Sequence, residues 1–482
     1  MTSTIKVDNI QKVSDASNII KKCSSTTTVG SGAGNTIVVC GATVTLGRCG
    51  GTVALASGAT QTGFGRTGTV NWDTTIKTSD FTATSGSGFF VNTTSGAVTV
   101  TLPSSPSAGD IVSVADYAGT SATNKITIAR NGSNIEGSAS NSAISTNRDA
   151  ITLIFADSTQ GWIPVNDQTG STLEPAFVTA TGGTIITCGN FKTHVFTGPG
   201  TFCVSCAGNS VGSNTVDYFV LAGGGGGGRD GFGAPRVGGG AGGGGFRVSN
   251  SVGCVPSGSM SPLANSTGLP VTASPYPVSV GGGGAGGSTS PYGGGRGSNS
   301  VFAGSSTITS TGGGGGQGHQ PSAGSPSATT PGGSGGGVQD SVPNGTGSGE
   351  GNTPPVSPPQ GNPAGSGGNA PQYAGGGGGG AGAAGTNQSG STGGSGGVGG
   401  IIGPGFIGPT APSYGTPGPA SGRYFAGGGG SNPGGAGGSG GGASGSGGAG
   451  GPANTGGGGG GNRAADGGAG ASGIVMIRYR FQ

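Results

Sequence analysis

Short runs in which aliphatic residues alternate with threonine, serine or another polar residue fill the first half of the chain, and a period of two predicts β-strands. Residues 1–22 are polar, with brief alternation at Thr4-Ile5-Lys6-Val7. Across residues 23–70 the runs NTIVVCG, ATVTLGRCG and GTVALASGA follow one another about every eight to ten residues, each closed by glycine. One copy buries little apolar surface, so this spacing predicts wound or stacked strands that pair across the chains of a homotrimer. Residues 71–168 carry FFVNTT, AVTVTLP, IVSVADY, NKITIARNG, AITLIFAD and GWIPVND, with turn dipeptides at Ser95-Gly96 and Asn131-Gly132. Short strands at that density predict a β-sandwich or small barrel, with Trp72 and Trp162 in its core.

A third strand set runs through residues 174–222 (AFVTATGG, GTIITCG, KTHVFTGPGTFCVSC, VDYFVLA), with a tight turn at Thr197-Gly198-Pro199-Gly200. No strong strand follows until GIVMIRYRFQ at the end of the chain. Residues 217–222 and 474–481 are therefore expected to pair within one β-domain. Residues 223–473 become an insertion held at both ends.

Composition tells what that insertion is. Of 482 residues, 123 are glycine and 29 proline, and 96 of the glycines and 24 of the prolines lie beyond residue 222. The glycines come in blocks and not in a G-X-Y period, which excludes collagen. The blocks include 223–228, 238–245, 281–287, 312–316, 375–382, 393–400, 434–442, 456–461 and 467–473. A flexible linker is one reading of such runs. A bundle of polyglycine-II helices is the other. Such helices have three residues per turn and a rise of about 3.1 Å, and their N–H and C=O groups point outward to neighbours. Ordering one residue costs roughly 1–2 kcal/mol, and one hydrogen bond returns only about 1 kcal/mol net. A lone run is therefore disordered, whereas a lattice bonded on several sides and held at its ends approaches balance. Similar run lengths and long connectors dotted with proline and aromatics favour the bundle.

The same composition narrows the chemistry. No stretch approaches 18 apolar residues, and MTSTIKVDNIQ lacks an apolar core, so neither membrane insertion nor a signal peptide is expected. Net charge is +3 and every lysine precedes residue 193, which leaves no footprint for nucleic acid. VDYFVLA followed by GGGGGG mimics a dinucleotide fingerprint, but RDGFGAPRVGGG cannot form the helix that the motif requires. The acids of the insertion, Asp230, Asp340, Glu350 and Asp466, have no close partner for a two-carboxylate mechanism. Those of residues 71–168 (Asp110, Asp116, Glu136, Asp149, Asp157) sit mostly at strand ends and turns. His194 and His319 have no triad context. Cys203 and Cys206 form a C-x-x-C without a second pair, and read as small buried side chains rather than metal ligands. No enzyme activity, metal or cofactor is expected.

VDNIQKVSDASNIIKKC and TVTLGRCGGTVALASGATQTGFGRTGTVNWDT resemble the N-terminal part of virion fibre proteins of tailed bacteriophages, marine ones especially. AVTVTLPSSPSAGDIVSVADYAGT, NKITIARNGSNIEGSA and AITLIFADSTQGWIPV are similar to a β-domain of phage tail fibres. TGGTIITCGNFKTHVFTGPGTFCVS, VDYFVLAGGGGGG and SGIVMIRYRF resemble the glycine-rich receptor-binding ends of such fibres.

The resemblance implies a virion protein that is assembled in the host cytoplasm and exposed on the particle. It is bound to other virion proteins through residues 1–22, and it recognises a host surface glycan or outer-membrane protein through loops on the bundle. The expected architecture is all-β, fibrous and modular. It comprises residues 1–22 for attachment, a trimerising β-repeat (23–70), a sandwich (71–168), a clamping β-domain (169–222 with 474–482) and the bundle (223–473). Loop aromatics can stack on sugars with few rotors to freeze. The candidates for receptor contact are Tyr373, Phe406, Tyr414, Tyr424 and Phe425, then Tyr292 and Phe302. Alternatives are a purely structural fibre or capsid decoration, an ice-binding protein, and a capsule-degrading enzyme.

Overall fold

The computed structural model describes residues 70–165, 173–230, 237–251, 260–289, 292–318, 331–338, 349–368, 373–408 and 414–482, and the backbone of three strands before residue 30. The chain divides into units Met1–Thr69 and Val70–Gln482. In the first unit, β1 (Asn9–Gln11), β2 (Asn18–Cys23) and β3 (Thr26–Val29) form an antiparallel sheet in that order. The repeated runs from NTIVVCG to GTVALASGA lie outside the described residues. The second unit is built from strands, glycine runs and one four-residue helix among the described residues, so the fold is all-β.

Its first part is wound rather than hairpinned. The strands are β4 (Asn71–Lys77), β5 (Phe81–Thr82), β6 (Ser87–Val91), β7 (Val98–Thr101), β8 (Ile111–Asp116) and β9 (Ile126–Ala129). β4, β6 and β8 pair in parallel in one sheet, and β5, β7 and β9 pair in parallel in the facing sheet. A parallel pair needs a crossover, and here each crossover is itself a strand of the opposite sheet. Antiparallel strands β10 (Ser142–Ile144), β11 (Ala150–Asp157) and β12 (Gly161–Pro164) complete the two sheets. Alternation sends Val98, Val100, Ile126, Ile128, Ile151 and Leu153 into a shared core with Trp162. Trp72 departs from expectation. It is 40% exposed because β4 is the edge strand of its sheet, and its ring stacks on Phe90 at 4.7 Å.

The next β-domain comprises β13 (Val178–Thr181), β14 (Thr184–Cys188), β15 (Phe191–Phe196), β16 (Gly200–Ala207), β17 (Thr215–Leu221), β18 (Phe246–Ser249), β19 (Ala264–Asn265), β20 (Leu269–Pro270), β21 (Pro275–Ser279), β22 (Ser300–Ala303) and β23 (Thr307–Ser310). To these are added β24 (Gly400–Ile402), helix α1 (Pro404–Ile407), β25 (Arg423–Phe425) and β26 (Ile474–Arg480). One sheet runs β13-β16-β21-β22-β23 and the facing one β14-β15-β26-β17-β18-β19. β17 and β26 pair antiparallel, from Asp217 opposite Arg478 to Leu221 opposite Ile474. The bundle is thus inserted between two adjacent strands, as their flanking positions predicted. Both strands are buried on both faces, which is why VDYFVL and IVMI read as continuous rather than alternating apolar runs. Cys203 and Cys206 correct the sequence reading. β16 turns Phe202 and Val204 inward, which places Cys203 on the outer face, and a shift of register between Val204 and Cys206 breaks the alternation so that Cys206 is exposed as well.

His194 of β15 lies in this core with no exposure. Its Nδ1–H donates to the Gly182 carbonyl at 2.7 Å, which leaves Nε2 to accept from the Tyr479 hydroxyl at 3.1 Å. Burial holds its pKa below the usual 6.5. The unfolded chain takes up a proton there that the folded chain excludes, so stability declines as pH falls below about 6.5. Thermal melts between pH 7.5 and 5 should show that decline, and His194→Gln should flatten it.

The insertion forms a polyglycine-II lattice. In run 223–229, Gly223 and Gly226 donate to Ser298 and Gly295, Gly224 and Gly227 to Ala471 and Gly468, and Gly225 and Gly228 to Gly242 and Gly239, at 2.8–3.1 Å. The carbonyls accept in the same rhythm, from Gly313 and Gly316, from Gly284 and Gly287, and from Gly459 and Asn462. A partner that recurs every third residue means three residues per turn, with six neighbours around one helix. Runs 238–245, 375–382, 426–431 and 456–462 are surrounded in the same way.

The hydrogen bonds order the runs into four rows. The first is 292–298, 312–318, 332–338 and 361–368. The second is 281–287, 223–229, 238–245, 375–382 and 383–388. The third is 467–473, 456–462, 426–431 and 393–399. The last is 448–451, 441–445 and 435–439.

Inside this lattice only glycine fits. A Cβ on Gly226, Gly227 or Gly228 would stand 1.9, 2.1 or 2.1 Å from the carbonyl oxygen of Ala285, Gly460 or Gln317. The three Cβ directions of a run lie about a third of a turn apart, and at an edge one of them is open. Edge runs accordingly read G-G-X: Ala285 and Ser288, Ser395 and Val398, Ala436 and Ser439, and Ala469 and Ser472 occupy the open direction, all exposed or half-buried. Ala241, Ser334, Ala381, Ala426, Ser431 and Ala471 depart from the rule, since all six are buried within the lattice.

Candidate binding surface at the tip of the bundle

Runs 223–229, 281–287 and 312–318 leave directly from β17, β21 and β23, and runs 238–245, 292–298 and 467–473 lead back into β18, β22 and β26. The bundle therefore has a base on the β-domain and an opposite tip. The tip gathers residues 229–230, 237–238, 287–289 and 292 and the connections 388–393, 431–435 and 462–467. Three of these turns are tied together. The Arg229 guanidinium pairs with the Asp466 carboxylate and donates to the Ser288 carbonyl. The Asp230 N–H donates to the Asn462 carbonyl at 3.3 Å. Asn462 Oδ1 accepts from the Arg463 N–H at 2.7 Å, and its Nδ2 donates to the Asp466 carbonyl at 3.2 Å, which closes that turn on itself.

The aromatic candidates separate between tip and base. Tyr292 and Tyr373 lie at the tip, both half-buried. Tyr292 has φ +59°, its N–H donates to the Thr289 carbonyl at 2.7 Å, and its carbonyl accepts from the Arg229 N–H at 2.9 Å. The backbone of Tyr292 is therefore part of the lattice while its ring is partly free.

The other five candidates lie at the base, and four are buried, so the expectation of loop-tip contact fails for them. Phe302 is in the sandwich core, 6.2 Å from the rings of Phe202 and Tyr276. Phe406, Phe425 and Tyr424 belong to α1 and β25, which cover the bundle-side face of the sheet that contains β17 and β26. Phe425 meets Phe219 edge-on at 5.0 Å. Tyr414 is half-buried against the same cluster. The physical reason is that Phe219, Leu221, Ile474 and Met476 point out of the sandwich and need an apolar lid. The signal was present in the sequence: IIGPGFI carries two apolar pairs, Ile401-Ile402 and Phe406-Ile407, within one short connector.

A family model of a glycine-rich domain matches residues 197–480, from the turn before β16 to the end of β26. The match takes in strands and insertion together. The chain belongs to the glycine-rich domain family. No curated protein matches it.

In this glycine-rich domain the described tip offers two arginines (229, 463) and the exposed Asp466, with Asp230 buried beneath, and two tyrosines and the hydroxyls of Ser288, Thr289, Ser389, Ser391 and Thr392 around them. Such a surface can take a polar, uncharged ligand by stacking and hydrogen bonding. Among the described residues no group of three or more His, Cys, Asp or Glu could hold a metal ion.

Proposed function

We propose that this glycine-rich domain protein is a fibre adhesin of a tailed-phage virion, joined to the particle through its N-terminal unit and presenting the bundle tip to a host-cell glycan or outer-membrane protein. The observation that carries the reading is the gathering of polar connectors and both half-buried tyrosines at the end of the lattice away from the β-domain. A hydrogen-bonded base holds those connectors in place, which lowers the entropy lost on binding. Repetition in a homotrimer and over several fibres turns weak contacts into avidity. No catalytic step is part of this role.

The test is adsorption competition with the full chain on host cells. Saturable blocking of virus attachment is expected. Tyr292→Asn with Tyr373→Ala should raise the half-blocking concentration about tenfold, the loss of roughly 1.4 kcal/mol at a binding surface. Blocking that is absent from folded protein would leave a purely structural fibre.

A further inference from the structure

The lattice ends in places where another helix could be added. Between runs 281–287 and 467–473 lies one such position. The N–H groups of Gly283 and Gly286 donate to nothing there, and the carbonyls of Gly467 and Gly470 receive nothing. Each pair is three residues apart, the repeat of a polyglycine-II neighbour. Run 467–473 sends its other Cβ directions inward, since a Cβ on Gly467 or Gly470 would meet the carbonyl oxygen of Gly227 or Gly224 at 2.1 Å. Its third direction is that of Ala469, which is exposed on the vacant position, and of Ser472, which is half-buried with its hydroxyl accepting from the Asn454 N–H at 2.9 Å, so the chain has side chains there instead of glycine. The opposite edge is built alike. A Cβ on Gly396 or Gly397 of run 393–399 would meet Gly428 or Ala383, while Ser395 and Val398 take the remaining direction, both half-buried, the Ser395 hydroxyl accepting from the Ala436 N–H at 3.3 Å.

Vacant positions of this kind suit one partner above others. A free glycine peptide would have to be ordered on binding, at a cost that its hydrogen bonds do not recover. The edge of a second bundle is ordered already and carries the same donors and acceptors at the same spacing. Unpaired sheet edges meet the same hazard, and proteins blunt them with side chains that prevent pairing. We infer that Ala469 and Ser472 on one edge, and Ser395 and Val398 on the other, are capping side chains that keep copies of this chain from fusing bundle edge to bundle edge.

The experiment is sedimentation of the full chain over a hundredfold concentration range. The wild type should keep one sedimentation coefficient, and Ala469→Gly/Ser472→Gly should gain a concentration-dependent larger species, with association at least tenfold tighter. Ala469→Ser/Ser472→Ala keeps both Cβ atoms and should sediment as the wild type. Ser395→Gly/Val398→Gly repeats the test on the opposite edge. It also separates edge fusion from misfolding, because association must come with a single cooperative melt, lowered only by the few degrees that two added glycines cost. Glycine variants at both edges that fold and sediment as the wild type would overturn the inference. So would equal association by the Cβ-retaining control.

Discussion

Gly378→Val should cost about 3–5 kcal/mol and lower the melting temperature by roughly 10 °C, whereas Gly282→Ala should raise stability slightly. Gly378 sits in an interior run. Its N–H donates to Gly429 at 2.8 Å and its carbonyl accepts from Gly397 at 2.9 Å. A Cβ there would stand 1.9 Å from the Ala241 carbonyl oxygen. That atom is backbone fixed by its own bonds, so the helices must separate, and hydrogen bonds to several neighbours weaken together. Gly282 is in an edge run, and nothing lies within 4 Å of its Cβ position. Its φ is not among the positive values, so alanine fits and removes freedom from the unfolded chain, a gain of about 0.4–1 kcal/mol. Opposite signs from two glycine substitutions are not expected of a flexible linker. Differential scanning calorimetry of the two variants beside the wild type checks the prediction.

The contrast also shows how much the chain tells in advance. Gly375–380 and Gly456–461 are pure glycine because all three Cβ directions are closed, while GGSGGVG at 393–399 carries Ser395 and Val398 because one is open. Interior and edge can thus be read from the presence of a period-three substituent. The pairing of β17 with β26 was legible for a similar reason, as no other strong apolar run was left to flank the insertion. Sheet assignment was not legible in residues 71–165. Alternation marks Val98 and Val100 as facing inward but is blind to whether the next strand returns by a hairpin or crosses to the other sheet. Aromatic placement failed where a connector leaves the lattice at its base. Phe406 and Phe425 look like loop residues in sequence, and only the outward-facing Phe219 and Met476 show what they cover. The two tip tyrosines could not be told from them by spacing, because run direction, which decides tip or base, emerges only from the hydrogen-bond register.

Asp217→Asn should destabilise the second unit by about 3–5 kcal/mol, and adding Arg478→Met should restore most of the loss. The two residues face each other in the β17–β26 register, with exposures of 0% and 1%, and Arg478 Nη1 lies 3.9 Å from Asp217 Oδ2. Asp217 Oδ1 accepts from Ser249 Oγ, the Ser251 N–H and Ser251 Oγ, each at 2.8 Å. The guanidinium lies over the Phe191 ring at 3.9 Å and near that of Phe406 at 5.7 Å. Asparagine keeps an oxygen for the serine donors but leaves a buried cation without its counter-charge, and methionine then removes that cation while filling the space between the rings. The pair joins the two strands through which the bundle is held, so its loss should act beyond the β-domain. Amide exchange of residues 223–228, whose N–H groups are bonded to three other runs, should accelerate in Asp217→Asn and return towards the wild-type rate in the double variant. Unchanged exchange in Asp217→Asn alongside a lowered melting temperature would mean that the lattice holds its own ends without the clamp.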